Sequence, residues 1–397
     1  MTQNKQMVYL NHMACINALG ADHQSVFSKL IQADTSGMQS YLSPATGRTF
    51  LVGQVALELP TIPEPYLKHN TRNNRLVHHC LQQLSTQLKE MLEQYPNHRI
   101  GVIIGTSTSG IAEGEQALQK YSLSGHFPDD FDYSQIEMSS PADFIKDYLQ
   151  LQGPAYCIST ACSSSGKVFA SARSLIENDL CDAVIVGGSD SLCDMTLNGF
   201  DSLEAISSDL CLPFSANRKG INIGEGAALF IMSREKSEVA LLGVGESSDA
   251  HHISAPHPEG AGAVSSMQMA LSDAGISSDD VDYLNLHGTG TELNDLMEGK
   301  AVHQVLPTTT MVSSTKPLTG HTLGAAGATE LAFCWLALNQ QGPKYSLPKH
   351  AYDGHYDQQI PPLTLASSEH HCSDLSIAMS NSFAFGGNNV SVIIGRS

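Results

Sequence analysis

Short runs of apolar, β-branched residues alternate along the chain with longer stretches whose apolar positions recur at helical spacing. Ile100 to Gly105 and Ala183 to Gly188 are apolar without interruption, the pattern of strands covered on both faces, and Val281 to Leu286, Ile377 to Ser382 and Val390 to Gly395 are read as strands as well. Helices are expected over Arg75 to Tyr95, Ser163 to Asn178, Gly260 to Ala274, Asp295 to Val305 and Gly324 to Asn339. In the second of these, Val168, Phe169, Ala172, Leu175 and Ile176 make one apolar stripe. Strands alternating with helices in this way predict an α/β fold around a buried sheet.

The chain has 397 residues, enough for one large or two medium domains. No low-complexity linker or short-period repeat divides it, and the weakest seam is the charged patch from Arg234 to Val239. Gly342 to Ser373, with Pro343, Pro348, Pro361 and Pro362, is irregular and is expected to be a surface excursion before the last strands. The net charge of −19 disfavours nucleic acid or an anionic membrane as partner, since both require a positive footprint. No apolar run is long enough to cross a bilayer, and Met1 to Gln6 are too polar for a secretory signal, so a cytoplasmic address is expected. Nine cysteines without a CxxC pair indicate neither a disulfide framework nor a zinc knuckle.

One cysteine stands apart. Cys162 lies in Ser159-Thr160-Ala161-Cys162-Ser163-Ser164-Ser165-Gly166, a turn of small residues between a strand-like run and a helix. Unpaired N–H groups at a helix N-terminus favour a thiolate, so Cys162 is expected to be an activated nucleophile. In the second half His287 closes a strand-like run in Asn285-Leu286-His287-Gly288-Thr289-Gly290-Thr291, and His321 follows Lys316 by five residues in Lys316-Pro317-Leu318-Thr319-Gly320-His321. A thiol, two imidazoles and an ammonium, if brought together, suit carbon–carbon bond formation on a thioester. The pairs His78-His79, His251-His252 and His370-His371 lack the spacing of a helical metal site, so no metal is expected, and no phosphate-binding glycine loop is present.

Thr160-Ala161-Cys162-Ser163-Ser164, His287-Gly288-Thr289-Gly290-Thr291, Lys316 with Thr319-Gly320-His321, and Asn381-Ser382-Phe383-Ala384-Phe385-Gly386-Gly387 together resemble the β-ketoacyl-acyl-carrier-protein synthases, elongating condensing enzymes of the thiolase-like superfamily. The resemblance spans nearly the whole chain. It implies a thiolase-like α/β fold of two pseudo-symmetric halves in a layered α-β-α-β-α sandwich, residues 1–238 carrying the cysteine and 239–397 the two histidines. A dimer joined through strands is also implied, a homodimer or a heterodimer with a related subunit.

The same resemblance implies the chemistry. Cys162 takes the acyl group from a carrier protein, and the N–H groups of Cys162 and Phe385 form the oxyanion hole. His287 and His321 hold the malonyl thioester and stabilise the enolate left by decarboxylation. Lys316 orients the second histidine, His321, and keeps the site electropositive, and Glu298 anchors the lysine side of the site. Thr289 and Thr291 bond the phosphopantetheine arm delivered by the carrier, no tightly bound cofactor being expected. Phe385 gates the acyl pocket, Thr108 limits its depth, and Ile221 and Phe383 wall it.

The chain departs from the family pattern in places. Ile221 replaces an aromatic residue, Ala384 a glycine and Asn388 a threonine. Residues 121–145 carry no Lys or Arg where the family offers basic residues to its acidic carrier, which leaves Lys68, Arg72 and Arg75 as the expected docking cluster and suggests a specialised polyene or polyketide-like pathway. A thiolase would need a second cysteine where Phe383 to Gly387 stand. A non-catalytic, chain-length-determining subunit is the alternative; such subunits lose the nucleophile, which this chain keeps.

Overall fold

The computed structural model describes residues 6–342, 344–367, 371–372 and 374–397; Met1 to Lys5, Pro343 and His370, named above, lie outside them. Ten strands build the body. In the first half these are β1 (Val8–Asn17), β2 (Ile100–Gly105), β3 (Ala155–Ile158), β4 (Ala183–Asp190) and β5 (Gly226–Ser233), and in the second β6 (Val239–Ser248), β7 (Tyr283–Asn285), β8 (Met311–Ser313), β9 (Ile377–Phe383) and β10 (Asn388–Arg396). The first five lie in the order β1-β5-β4-β2-β3 and the second five in the order β6-β10-β9-β7-β8, the same topology used twice. In each set the first two neighbouring pairs are antiparallel and the last two are parallel. The two sets touch through β1 and β6 at Val8↔Leu241 and Tyr9↔Ala240.

Side-chain alternation explains the uninterrupted apolar runs. Ile100, Val102 and Ile104 of β2 face an outer core with Leu76, Val77, Phe144 and Ile145, from helices α1 (Arg72–Gln83) and α3 (Ser140–Tyr148). Ile103 faces the opposite way, into a central core shared by α4 (Ser164–Glu177) and α7 (Ala326–Leu338). There the stripe Val168, Phe169, Ala172 and Ile176 meets Leu331, Ala332 and Phe333. A third core sets α5 (Ala261–Ala274) and α6 (Glu292–Val305) against Leu284, Met379 and Ile393. The result is five layers, α-β-α-β-α. Because the central layer takes one helix from each half, neither half can bury that face alone.

The long helix expected over Arg75 to Tyr95 is two, α1 and α2 (Ser85–Gln94), broken where Leu84 leaves helical geometry at φ −89° and ψ 10°. The stretch from 342 is a surface excursion only in part, since buried residues alternate with exposed ones along its described positions. Thr364–Leu365 adds a parallel edge strand beside β8, and Leu347, His350, Ile360 and Ala366 are buried. Of its described prolines, Pro348 is buried, Pro361 half-buried and Pro362 exposed. Among the described residues no helix is long and apolar enough to cross a membrane.

Candidate active site

Cys162 sits at the head of α4, and the turn that presents it is strained: Ala161 adopts φ +52°, a left-handed conformation costly for a residue with a Cβ. Short side chains hold it there. Ser164 donates both its backbone N–H (3.1 Å) and its hydroxyl (2.5 Å) to the Ala161 carbonyl, and its Oγ accepts from Thr160 N at 2.9 Å. The sulfur ends up only 5% exposed, at the wall of a cavity of about 380 Å³.

His321 arrives from the other half. Gly320 before it has φ +69°, and a Cβ there would stand 2.6 Å from the Ile223 carbonyl oxygen, so only glycine lets the two segments pass. His321 N then donates to Asn222 O at 2.7 Å, and Gly224 N to His321 O at 2.9 Å, a two-bond clamp. Its Nε2 reaches Cys162 Sγ at 3.0 Å. His287 lies just beyond β7, with its ring centroid 5.4 Å from that of His321. Nζ of Lys316 stands 3.5 Å from His287 Nδ1 and 2.5 Å from Glu330 Oε1. An ammonium can only donate, so Nδ1 of His287 is the acceptor and the ring proton lies on Nε2.

Burial sets the protonation states. Both imidazoles are pushed well below the ordinary histidine range, first by burial and then by the charge of Lys316, so both are neutral. The Cys162 thiol is pushed up to about 11 by burial; Lys316 and the backbone N–H groups of Phe385 and Cys162 pull the other way but do not prevail. This corrects the expectation of a resting thiolate. The helix N-terminus is there, yet desolvation outweighs it. At neutral pH the sulfur keeps its proton, within reach of His321. Glu330 is raised by burial and drawn down by Lys316.

Glu298 does not pair with the lysine. Its two oxygens accept the backbone N–H groups of His287 (2.7 Å) and Gly288 (2.6 Å), fixing the loop that carries the imidazole, and burial pushes its carboxyl up to about 8. The carboxylate on Lys316 is Glu330, which the sequence reading missed. A signal was available, since Glu330 is the only charged residue in the otherwise apolar α7. Also missed was Asn222, buried, which accepts from Cys211 N (2.7 Å) and donates to the Ser207 (3.1 Å) and Asp209 (3.0 Å) carbonyls, pinning a loop beside the cavity.

Ile221, Phe383 and Phe385 line the cavity, with Thr289 and Thr291 among its walls. The two threonine hydroxyls are 2.9 Å apart. Phe385 packs against Phe200 at 5.5 Å between ring centroids, and Phe383 against His287 at 6.2 Å. Thr108 is not among the lining residues. Its hydroxyl (2.8 Å) and N–H (2.8 Å) go to Asp190 Oδ1, which also accepts from Thr106 Oγ1 (2.7 Å) and Ser107 N (2.8 Å), while Oδ2 accepts from Ala325 N at 3.0 Å. Thr108 is therefore fixed in a buried polar knot that joins the two halves.

The expected basic cluster is dispersed. Arg72 makes a bidentate pair with the fully buried Glu225, at 2.7 and 2.5 Å, because that carboxylate has no water to solvate it. Arg75 Nε donates to Asn70 Oδ1 at 2.8 Å, and the exposed Lys68 meets Asp147 at 2.8 Å.

The donor atoms of Cys162, His287 and His321 all lie within 4.8 Å of one another, a set that could ligate a metal by residue type. The Lys316 ammonium 3.5 Å from His287 opposes a second cation there. The same convergence serves acyl chemistry: a thiol, a nitrogen able to share its proton, a neutral N–H donor and two backbone N–H groups aimed at the sulfur.

The chain matches the family models described as "Beta-ketoacyl synthase, N-terminal domain" over residues 72–238 and "Beta-ketoacyl synthase, C-terminal domain" over 239–346. It is 33% identical to Nodulation protein E of Rhizobium meliloti over 303 residues, 73% of this chain and 74% of that protein. It is likewise 33% identical to 3-oxoacyl-[acyl-carrier-protein] synthase 2 of Staphylococcus aureus (strain COL) over 313 residues, 74% of each. Among solved structures, a chain of the complex "Ketosynthase (ApeO) in Complex with its Chain Length Factor (ApeC) from Xenorhabdus doucetiae" superposes with a TM-score of 0.94 at 44% identity, covering 100% of both chains.

Proposed function

We propose that this chain, which belongs to the β-ketoacyl synthase family, is a catalytic ketosynthase that joins a carrier-bound acyl group to a malonyl unit by decarboxylative Claisen condensation, as a 3-oxoacyl-acyl-carrier-protein synthase. The observation that carries this reading is the 3.0 Å contact between Cys162 Sγ and His321 Nε2, with His287 beside them at one cavity wall.

In the first step the Cys162 sulfur attacks the acyl thioester carbonyl while its proton passes to His321. Charge on the tetrahedral oxygen falls to the N–H groups of Cys162 and Phe385, and the phosphopantetheine thiol leaves with a proton. In the second step a malonyl thioester loses carbon dioxide, and the enolate oxygen accepts N–H bonds from the imidazoles. Neutral rings suffice, and Lys316 keeps the His287 proton on Nε2. The carbanion attacks the acyl-Cys162 carbonyl, Cys162 leaves as a thiolate that takes a proton from water to regain its resting state, and the product is a β-ketoacyl chain two carbons longer. Thr289 and Thr291 hold the pantetheine arm brought by the carrier, Ile221 and Phe383 wall the site, and Phe385 gates it. Lys68 is the exposed member of the proposed docking cluster.

We place the division between halves at 238/239, and the protein in the cytoplasm, in fatty-acid, polyene or polyketide-like synthesis. The ketosynthase–chain length factor pairing of the Xenorhabdus structure favours a heterodimer with a related subunit over a homodimer. The strand β3, at one edge of the sheet, supplies the strand for such a junction. A chain-length-determining role for this chain itself is disfavoured by Cys162, His287 and His321 standing together. Intact-mass analysis of the carrier after incubation with acyl and malonyl carriers tests the proposal. Elongated carrier is expected from the wild type and none from Cys162→Ser; elongation by that variant would refute it.

A further inference from the structure

Arg218 and Lys219, neighbours in sequence, both line the catalytic cavity, and they stand in opposite conditions. Arg218 is buried and its charge is spent: Nη1 pairs with Asp357 at 2.5 Å, Nε lies 3.9 Å from the fully buried Asp295, and the guanidinium also donates to the Ser215 (2.9 Å) and Glu292 (3.2 Å) carbonyls. The Lys219 side chain is 67% exposed and its Nζ meets Asp209, 70% exposed, at 3.1 Å. A pair as open to water as this one is weak and exchanges readily. The exposed acidic residues on the same wall are Glu204 and Glu292. Among the described lining residues, Lys219 is thus the one exposed cation on an otherwise acidic rim. Its backbone is fixed from both sides. Gly220 N donates to Gly290 O at 2.9 Å, tying the segment to the loop between Thr289 and Thr291, and Ile221 N donates to Ala205 O at 2.8 Å.

We propose that Lys219 binds the phosphate of the phosphopantetheine arm and so sets how deep the thioester reaches toward Cys162. The inference rests on the reading of Thr289 and Thr291 as the hydroxyls that hold that arm. The pantetheine chain is neutral and enters the cavity, whereas its phosphate keeps its charge and stays at the wet end, since burying it unpaired is costly. At the rim it meets carboxylates that repel it and one ammonium that can exchange Asp209 for it, a charge-assisted bond. With a single cation on offer, the phosphate has one place to sit. The link between Gly220 and Gly290 holds that place in register with the two threonines.

The test uses the full chain with two probes that differ by the phosphate alone, acetyl-4′-phosphopantetheine and acetyl-pantetheine. Acyl transfer to Cys162 is followed by intact mass, and binding of each probe to Cys162→Ser, without transfer, by saturation-transfer NMR. The phosphate is expected to improve both binding and kcat/KM about five- to tenfold at about 50 mM NaCl, and less at about 300 mM, where surface charges are screened. Lys219→Met should abolish that preference while leaving the rate with acetyl-pantetheine and the melting temperature unchanged. Lys219→Arg should keep the preference, and Lys219→Glu should turn the phosphate into a handicap. No phosphate preference in the wild type, a preference unmoved by Lys219→Met, or an equal loss with both probes would overturn the proposal. The two readouts fail separately: acylation without a Lys219-dependent preference sinks only the phosphate site, and Lys219-dependent binding without acylation sinks only the catalytic reading.

Discussion

The ammonium of Lys316 and the carboxylate of Glu330 stand 2.5 Å apart, with side chains 1% and 4% exposed, from opposite ends of a loop and helix that also carry His321. Each is the other's directly paired counter-charge in a dry site. Lys316→Met should strand the carboxylate, which then takes up a proton, at a cost of about 3–5 kcal/mol in denaturant unfolding. Adding Glu330→Leu should recover most of that stability. Condensation should stay down about 100-fold in both variants, because His287 has lost the donor that fixes its tautomer. Recovery of activity in the double variant would assign the lysine a purely structural role.

Alkylation of Cys162 by iodoacetamide should rise about tenfold per pH unit above neutrality and level off only near the value of about 11 to which burial pushes the thiol. The folded state holds this proton more tightly than the unfolded chain, whose thiol titrates near 9.0, so stability should fall as pH rises from that value toward about 11. Neither effect should involve the histidines, whose protonation lies well below their usual range. A plateau in the alkylation rate below pH 9 would restore the activated thiolate.

Arg72→Met and Lys68→Met separate structure from docking. Glu225 is fully buried, and removing Arg72 should destabilise the protein by about 3–5 kcal/mol, seen as a lowered unfolding midpoint. Lys68 is exposed, and its pairing with Asp147 contributes at most about 1 kcal/mol. Its loss should leave the midpoint unchanged and raise KM for the carrier at low salt. A carrier KM unmoved by Lys68→Met would remove this residue from the docking surface.

The layered fold was legible because strands covered on both faces must be apolar at every position, as in Ile100 to Gly105, and because a buried helix such as α7 shows almost no polar side. The meeting of Cys162, His287 and His321 was legible as well, each set in small or glycine-containing turns. The break at Leu84 was not, since nothing in the local periodicity marks it. Arg72 looked like a free surface charge because its partner lies 153 positions away.

The amino-acid sequence by itself determined which chemistry this protein carries: a thiol on a strained turn, two histidines beside glycines, and a lysine near the second. Tertiary structure alone decided what state those groups rest in and whom they serve. Helix-end electrostatics act within one turn and can be read locally, but desolvation depends on everything packed around an atom. Hence Cys162 rests protonated, Lys316 belongs to Glu330, Glu298 to the backbone of His287 and Gly288, and Thr108 to Asp190.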